Sequence, residues 1–537
     1  MRAFFTFIFL IYCSIDLVLG QECNDFADFN PSGNGQINWD KFPEFDLPFK
    51  LIFGGEIHNG NAGGPLNHGF SHITDSRYLT SVPFANRALI YYGVAYPNQN
   101  QPWELERSPW GNDLGIYQQK WNSDFMNFAN SLGNGNFIDS DIFMFDIERV
   151  WRFDHEILQF KNSDIVPDFY KELPILDFIS TYKKDNRDLY AKAVSDFLKN
   201  GKHPDTKISS YADAPVFNTF SNIQGKSWDE WVQDSDHVNF ITKDDNGNVG
   251  GPFYEQMDFM SPSAYYYYDY PHPFAGEYLS YMMFQIEANK AWTTKPVIPF
   301  LWLKYSANPD LVNQSIRPWM AEATAIFPFF SGADGLWLWE NPTLIGTQTD
   351  FEAYEYFNKG LYRFSQFKSF FEGSYELVQE TSARDYNENK QPIWRGAVKG
   401  NEILIAAHNP FAADENEEVT IGVAYQNWSG TVTLKGYEVF LCKFDMSTLG
   451  NTLEEPLMVV YPNPTSDRLK AKFDSNFAGS AVVNLIGAKG EVLKEEFHQV
   501  AKGLNEIELD VSNIQANQFF LQIKIKNQSF SKKVIKW

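Results

Sequence analysis

Short runs of apolar residues alternate with longer mixed segments between residues 48 and 345. The runs that have the length of buried strands are Phe49–Ile57, Ala88–Tyr96, Asp141–Glu148, Lys207–Ala212, Gln256–Tyr265, Val297–Lys304 and Gly335–Trp339. Continuous apolar runs of this kind are typical of parallel strands that are covered on both faces. Helical patterns lie between them, at Asp188–Leu198, Glu277–Trp292 and Pro318–Phe329. Repeated strand–helix units over ~300 residues predict an α/β fold, a closed TIM-like (β/α) barrel, for residues 21–370.

An open, doubly wound parallel sheet is the alternative to the barrel. Sheets of that kind bind nucleotides through a glycine-rich loop that follows the first strand. No phosphate loop of the G-x-G-x-x-G type follows Phe49–Ile57. Nucleotide binding is therefore disfavoured, and we expect no cofactor.

The pattern changes after Phe371 to short alternating strands that are separated by turns. These strands are Glu402–His408, Glu418–Val423, Gly430–Leu434 and Glu438–Lys443. Alternation of this kind predicts a small antiparallel β-domain over residues 371–447. A polar linker is expected at 448–456, and a second β-module, a β-sandwich, at 457–537.

Residues 1–20 have the features of a secretory signal peptide. Arg2 provides the positive start, an apolar core follows, and small residues precede Gln21. The signal predicts export. The mature chain would keep only Cys23 and Cys442, which could form a disulfide or remain as two free thiols.

Composition narrows the classes of partner. The net charge of −24 argues against nucleic acid, because nucleic-acid binders carry basic surfaces. Aromatic residues make up 17% of the chain, which fits sugar-stacking surfaces as well as a large core. After the signal peptide no stretch of ~20 apolar residues occurs, so no transmembrane segment is expected. No Cys/His cluster has the spacing of a structural zinc site.

Two carboxylates stand at the end of the third predicted strand. Asp146 and Glu148 are at positions i and i+2, so on a strand their side chains leave the same face. Burying two acids together is costly, and such pairs are found at functional sites. They could also cap the next helix or pair with Arg149 or Arg152.

The pair suits acid–base chemistry at a glycosidic bond in two ways. In one, Glu148 protonates the leaving oxygen and a carboxylate on another strand attacks the sugar; Glu340 and Glu56 are the candidates. In the other, the 2-acetamido group of the substrate attacks and Asp146 orients it. In both, a second carboxylate nearby raises the pKa of the acid.

Aromatic residues end several of the later strands. Tyr265 could donate a hydrogen bond to an acetamido oxygen, while Trp302 and Lys304 lie on the next strand. Trp339 could form the floor under the reacting sugar. Each of these residues alone is more simply explained by core packing. The functional interpretation depends on their occurring together at strand ends of one barrel.

With these segments, residues 45–345 resemble the hyaluronidases of animal venom and sperm, glycoside hydrolase family 56. The matching motifs are D-x-E with a following Trp at Asp146–Trp151, P-S-x-Y at Pro262–Tyr265, V-x-P-x-x-W-x-K-Y at Val297–Tyr305 and G-x-x-x-W at Gly335–Trp339. They occur in the order of the family and with comparable gaps.

The resemblance implies a retaining, substrate-assisted endo-glycosidase that cleaves glycans containing N-acetylhexosamine. It implies that Glu148 is the proton donor, Asp146 positions the acetamido group, Tyr265 stabilises the cyclic intermediate and Trp339 packs under the reacting sugar. Glu340 follows the terminal Trp, where the family usually has Gly.

Two further features of the sequence bear on the resemblance. Tyr211 or Asp213 occupies the region of a further family Tyr. A carboxylate at Glu340 would repel a uronic acid, so a less charged amino-sugar polymer is expected as substrate. A barrel that binds glycans without cleaving them remains the alternative of a different class.

The last ~80 residues resemble the C-terminal sorting domain of the type IX secretion system of Bacteroidota. The motifs that match are the opening Tyr461-Pro-Asn-Pro-Thr-Ser-Asp467, the Gly503-Leu-Asn-Glu-Ile507 turn and the Lys532-Lys-Val ending. The resemblance implies export across the outer membrane with the type IX machinery as partner.

Overall fold

The structure is a computed structural model. It describes residues 21–23, 29–32, 37–57, 61–91, 109–110, 118–132, 137–147, 153–164, 166–199, 201–217, 223, 226–269, 277–306, 308–312, 314–340, 348–426, 428–447, 458–463, 465–475, 477–487, 491–526 and 528–536. The chain divides into two compact units. The first contains residues up to 421 together with 432–445, and the second contains 422–431 together with 446–537.

The first unit contains two parallel sheets. One has the order β3-β2-β8-β7 and the other β4-β5-β6. Their strands are β2 (Lys50–Phe53), β3 (His72–Ile73), β4 (Ala88–Tyr91), β5 (Ile142–Phe145), β6 (Lys207–Ser210), β7 (Phe300–Trp302) and β8 (Gly335–Trp339). All four residues of β5 are buried, as expected for a strand covered on both faces. The predicted mixed α/β chain with parallel strands is confirmed.

Isolated parallel bridges join the edges of these two sheets. Ile73 pairs with Arg87, which directly precedes β4, and Tyr211 after β6 pairs with Ser261. Residues 260–263 in turn pair with the β7 region, at Met260–Val297 and Ser263–Phe300. The segment expected to form the strand Gln256–Tyr265 therefore makes separate bridges rather than a continuous ladder.

Helices connect and cover the strands. They are α1 (Gly63–Leu66), α2 (Gln118–Ser131), α3 (Asp154–Gln159), α4 (Asp168–Lys171), α5 (Ile175–Leu198), α6 (Trp228–Gln233), α7 (Gly251–Tyr254), α8 (Glu277–Trp292), α9 (Pro318–Phe330), α10 (Gln348–Ser365) and α11 (Ala383–Asn389). The helix expected from residue 188 begins instead at Ile175, because Phe178, Ile179 and Tyr182 continue its buried face. Within the described residues, no helix has the length and apolar character to cross a membrane.

An antiparallel sheet completes the first unit. Its order is β1-β14-β11-β10-β9, with β1 (Gln21–Cys23), β9 (Glu376–Val378), β10 (Ile393–Lys399), β11 (Glu402–His408) and β14 (Val439–Asp445). Cys23 and Cys442 face each other across the β1–β14 pair and form a disulfide. Of the two states that the sequence left open for these thiols, the structure has the paired one. A separate ribbon consists of β12 (Glu418–Tyr425) and β13 (Trp428–Lys435).

The second unit contains two further antiparallel sheets. One has the order β15-β16-β19 and the other β18-β17-β20-β21. The strands are β15 (Val459–Tyr461), β16 (Arg468–Ser475), β17 (Gly479–Gly487), β18 (Val492–Val500), β19 (Gly503–Asp510), β20 (Gln518–Ile525) and β21 (Gln528–Ile535). Side chains from both sheets, including Leu469, Leu485 and Leu521, form one buried apolar cluster. The antiparallel, β-rich C-terminal region is thus confirmed.

A buried histidine makes the stability of the first unit depend on pH. His408 at the end of β11 is fully buried; the Tyr278 hydroxyl lies 2.6 Å from its Nε2, and its Nδ1 lies 2.9 Å from the Glu438 carbonyl oxygen. Nδ1 can therefore donate to the carbonyl while Nε2 accepts from the hydroxyl, which suits a neutral ring. Burial lowers the pKa of His408 from 6.5 to about 4.

We expect the free energy of unfolding to fall between pH 6.5 and 4 as a result. The unfolded chain takes up a proton on His408 below pH 6.5, whereas the folded chain does so only near pH 4, so about 3 kcal/mol is lost across this window. Denaturant unfolding at several pH values measures the loss. His408→Gln, which does not titrate, should be less stable near neutral pH but should have a shallower slope. An unchanged slope would contradict the assignment.

Candidate functional site

A pocket opens at the C-terminal ends of the parallel strands. Four of the side chains expected to act on substrate line it: Asp146, Tyr211, Tyr265 and Trp339. Ile90, Met144 and Phe300 complete its lining. Its volume is ≈ 80 Å³, which leaves room for several water molecules or for one small substituent of a larger ligand.

Asp146 is placed in the pocket by the end of β5. Its backbone amide still donates to the Tyr91 carbonyl oxygen, at 3.3 Å, so it continues the ladder between β4 and β5. Its side chain is half-buried. Met144 lies two residues earlier on the same face of the strand and forms part of the apolar lining. Glu148, the expected proton donor, lies outside the described residues.

Tyrosine hydroxyls form a hydrogen-bonded chain along one wall of the pocket. Tyr211 follows β6 and donates to Ser263 Oγ at 3.0 Å. Tyr265 is hydrogen-bonded to Tyr211, and the two rings stack with their centroids 6.0 Å apart. Because the Tyr211 proton is committed to Ser263, the Tyr265 hydroxyl is the donor to Tyr211. This chain holds the Tyr265 hydroxyl at a defined place in the wall.

The Tyr265 hydroxyl stays protonated across the physiological range. Burial holds its pKa well above the ordinary value, and its interactions with Tyr211, Asp146 and Glu340 raise it further. These interactions also place the hydroxyl within electrostatic reach of both carboxylates. The group therefore keeps the proton that it donates to Tyr211, beside two acids.

Phe300 of β7 and Trp339 of β8 add aromatic rings to the pocket lining. The Phe300 ring stacks on Trp337 with centroids 4.9 Å apart and lies 6.4 Å from the Trp339 ring. Trp339 is half-buried and presents part of its indole to the pocket. Trp302 is half-buried too, and its ring lies 5.6 Å from Tyr265 rather than in the pocket lining.

Glu340 and Lys304 form a charged pair of groups next to the pocket. Glu340 directly follows Trp339 and is half-buried, and its backbone oxygen accepts a hydrogen bond from the Tyr354 hydroxyl at 2.7 Å. Burial raises the pKa of the Glu340 carboxyl, and the positive charge of Lys304 partly opposes this. Lys304 is 1% exposed and does not line the pocket.

The two remaining expected site residues do not line this pocket. Glu56 is exposed and lies 3.6 Å from the Arg77 guanidinium. Asp213 is buried, and its carboxylate accepts a hydrogen bond of 2.8 Å from the Ser210 hydroxyl of β6. Of the two residues considered for the missing family Tyr, only Tyr211 lines the pocket.

Some lining residues were not expected from the sequence. Ile90 and Phe300 carry no chemical signal of their own, although both lie on predicted strands. The signal that could have found Met144 is its position two residues before Asp146. Among the described residues, no group of three His, Cys, Asp or Glu side chains could hold a metal ion.

Comparison with known families identifies the C-terminal region. Residues 459–537 match the family model of the secretion system C-terminal sorting domain. The match confirms the type IX sorting domain, which indicates secretion or a location on the outer surface and implies the secretion machinery as a partner. A search of curated proteins finds no match.

Solved structures with some likeness to the chain include glycoside hydrolases. Bee venom hyaluronidase has 13% identity and a TM-score of 0.37, and the match covers 58% of this chain and 99% of that chain. A glucosidase from Croceicoccus marinus has 10% identity and a TM-score of 0.30, with coverage of 87% and 95%. A GH42 β-galactosidase from G. stearothermophilus has 9% identity and a TM-score of 0.33, with coverage of 87% and 100%.

Proposed function

We propose that the protein is a secreted glycoside hydrolase that cleaves N-acetylhexosamine-containing glycans by a retaining, substrate-assisted mechanism. The observation that carries the proposal is the pocket of ≈ 80 Å³ at the strand ends. It combines an apolar lining, which can contact a methyl group, with a carboxylate and tyrosine hydroxyls, which can form hydrogen bonds with an amide. An acetamido group contains both parts. The methyl group would contact Met144 and Phe300, and the amide would form hydrogen bonds with Asp146 and Tyr265.

Each pocket residue has a role in this mechanism. The Asp146 carboxylate accepts the acetamido N–H, so that the acetamido oxygen is turned towards the anomeric carbon. The Tyr265 hydroxyl, which donates to Tyr211 in the pocket without substrate, turns its proton to the acetamido group as the cyclic intermediate forms. Glu148 protonates the leaving oxygen and then takes a proton from the attacking water. Trp339 packs under the sugar ring.

The catalytic unit is proposed to be a closed barrel in the strand order β2, β3, β4, β5, β6, residues 260–263, β7 and β8. The parallel bridges Ile73–Arg87, Tyr211–Ser261 and Met260–Val297 support closure, because they join every edge that the two sheets leave open. In such barrels the chemistry lies at the C-terminal ends of the strands, which is where Asp146, Tyr211 and Trp339 are found.

The substrate is proposed to be an amino-sugar polymer of low charge. Glu340 is next to Trp339, and the whole chain has a net charge of −24. A uronic acid bound on Trp339 would meet like charge from Glu340.

Reducing-end release from a matched pair of substrates tests the proposal. The pair is a β-linked N-acetylglucosamine oligomer and the same oligomer after de-N-acetylation. We expect only the acetylated oligomer to be cleaved, because the other lacks the internal nucleophile. Glu148→Gln should lose at least about 10³-fold in kcat, whereas Glu255→Gln, at an exposed carboxylate after α7, should not change it. Efficient cleavage of the de-N-acetylated oligomer would exclude substrate assistance. Binding that persists in Glu148→Gln, with no cleavage by either protein, would point to a non-catalytic glycan binder.

A two-carboxylate mechanism is the second candidate, because Glu340 lies within electrostatic reach of Tyr265. A nucleophilic carboxylate has to reach the anomeric carbon, however, and Glu340 does not line the pocket, which works against that role. Glu56, the other candidate nucleophile, does not line the pocket and pairs with Arg77. Covalent labelling of Glu340 by a fluorosugar inhibitor would favour this mechanism over the first.

A further inference from the structure

A second, larger cavity lies at the opposite end of the parallel strands. Its lining includes the first residues of β2, β5 and β6, namely Lys50, Ile142 and Lys207, together with Asp334, which directly precedes β8. The cavity volume is ≈ 550 Å³, within the range of small-molecule binding sites. It is therefore separate from the pocket at the C-terminal strand ends.

The inner wall of this cavity is apolar. The half-buried Phe49 and the exposed Pro48 and Pro296 provide its accessible apolar surface. The lining also includes Ile142, Phe259 and Ile298, which are at most 4% exposed. All three belong to one buried cluster with Met144 and Phe300, which line the pocket at the other strand ends. Protein interiors contain few voids larger than a water molecule, so an apolar space of this size can bind an apolar ligand.

The charged groups at the rim are engaged with one another or with the backbone. Asp334 accepts from the Val297 amide at 2.8 Å and from Lys290 Nζ at 3.0 Å. Asp258 accepts from the Ile208 amide at 2.7 Å and lies 4.0 Å from Lys207 Nζ. Each carboxylate thus accepts from a backbone amide, that of Ile208 in β6 or that of Val297 ahead of β7, and lies beside a lysine.

Lys50 completes the balance of charge. Its ammonium group pairs with Asp141, which also lies 2.9 Å from His72 Nε2. The lysines at positions 50, 207 and 290 thus face the carboxylates at 141, 258 and 334 one to one. A ligand with a net charge would lose hydration at the apolar surface and would find no unbalanced charge at the rim to replace it, whereas an uncharged ligand would lose less.

We propose that this cavity binds an uncharged small molecule with an apolar body, such as an aromatic ring system. The apolar wall supplies the affinity through burial of the ligand's surface. The rim, in which each lysine faces a carboxylate, discriminates against anions and cations. The proposal does not depend on the glycosidase activity.

Two fluorescent probes that differ by one charged group test the proposal on the full chain. N-phenyl-1-naphthylamine is neutral, and 1-anilinonaphthalene-8-sulfonate is the same molecule with a sulfonate. We expect the neutral probe to bind saturably at one site with a Kd of about 10 µM. The sulfonate should bind at least about tenfold more weakly, because it would lose hydration at the apolar surface and because the two lysines of the rim, Lys50 and Lys207, already face carboxylates.

Variants locate the binding in the cavity. Pro296 is an exposed residue of its lining, so Pro296→Trp should fill the mouth without straining the core and should weaken the neutral probe at least about tenfold. Pro252→Trp places the same side chain at an exposed position that does not line the cavity and should leave the Kd unchanged. Absence of saturable binding, equal affinity for both probes, or a Kd that Pro296→Trp does not alter would each overturn the proposal.

Discussion

Replacing Asp146 by Asn is expected to lower kcat on an N-acetylated substrate by about 10²-fold or more, with a smaller change in KM. Asn has nearly the shape of Asp but no negative charge, and its amide can donate where the carboxylate can only accept. The substituted pocket can still hold an acetamido group, but it stabilises less of the positive charge that develops as the acetamido oxygen attacks. The loss therefore falls on the transition state rather than on substrate binding.

Steady-state kinetics on the wild type and Asp146→Asn measure the change in kcat and the change in KM separately. Asp205→Asn removes a carboxylate that is 78% exposed and serves as the matched control. The melting temperature of Asp146→Asn should stay close to that of the wild type, since the Asp146 backbone amide bond to Tyr91 is retained. A kcat within a few-fold of wild type would show that Asp146 has no part in the chemistry.

Replacing Arg395 by Met is expected to lower the free energy of unfolding of the first unit by about 3–5 kcal/mol. Arg395 on β10 is 0% exposed, and its guanidinium donates to Glu287 Oε1 of α8 at 2.7 Å and 3.1 Å. Glu287 is itself 6% exposed. Without Arg395, the negative charge of Glu287 would stay buried and lose its cation, because Ala383 and Ser331 contribute only uncharged donors to it.

The double variant Arg395→Met/Glu287→Gln separates charge from packing. The glutamine introduced by Glu287→Gln is uncharged and can still accept from the Ala383 amide, so the double variant should recover most of the stability that Arg395→Met loses. Chemical denaturation followed by tryptophan fluorescence compares the wild type with the single and double variants. Equal destabilisation of Arg395→Met and of the double variant would mean that the unpaired charge of Glu287 is not the source of the lost stability.

The local pattern predicted the strands that form the site because burial on both faces requires unbroken apolar runs. Ile142–Phe145 and Gly335–Trp339 are such runs, and both occur as strands. The same pattern could not find the helix start at Ile175, where exposed Leu176 and polar residues dilute the periodicity. It also missed the loss of a continuous ladder around Met260, since pairing depends on neighbours that are distant in the sequence.

The sequence predicted the residue types of the site better than their grouping. Asp146, Tyr265 and Trp339 were expected to meet because each ends a strand, and all three line one pocket. Glu56 met the same criterion but pairs with Arg77. Whether a side chain at a strand end lines the pocket depends on the partner that it contacts. The packing of several elements determines that partner.

By itself, the sequence determined the order of apolar strands, the mixed α/β class and the sorting domain at residues 459–537, since these are written in local periodicity and motifs. Only the tertiary structure decided that Tyr211 rather than Asp213 faces the pocket, that Cys23 meets Cys442, and that a second cavity lies beneath Ile142 and Ile298. The physical reason is the same in each case. Distances between strands and the volumes left between them are properties of the packed chain, and no local pattern encodes them.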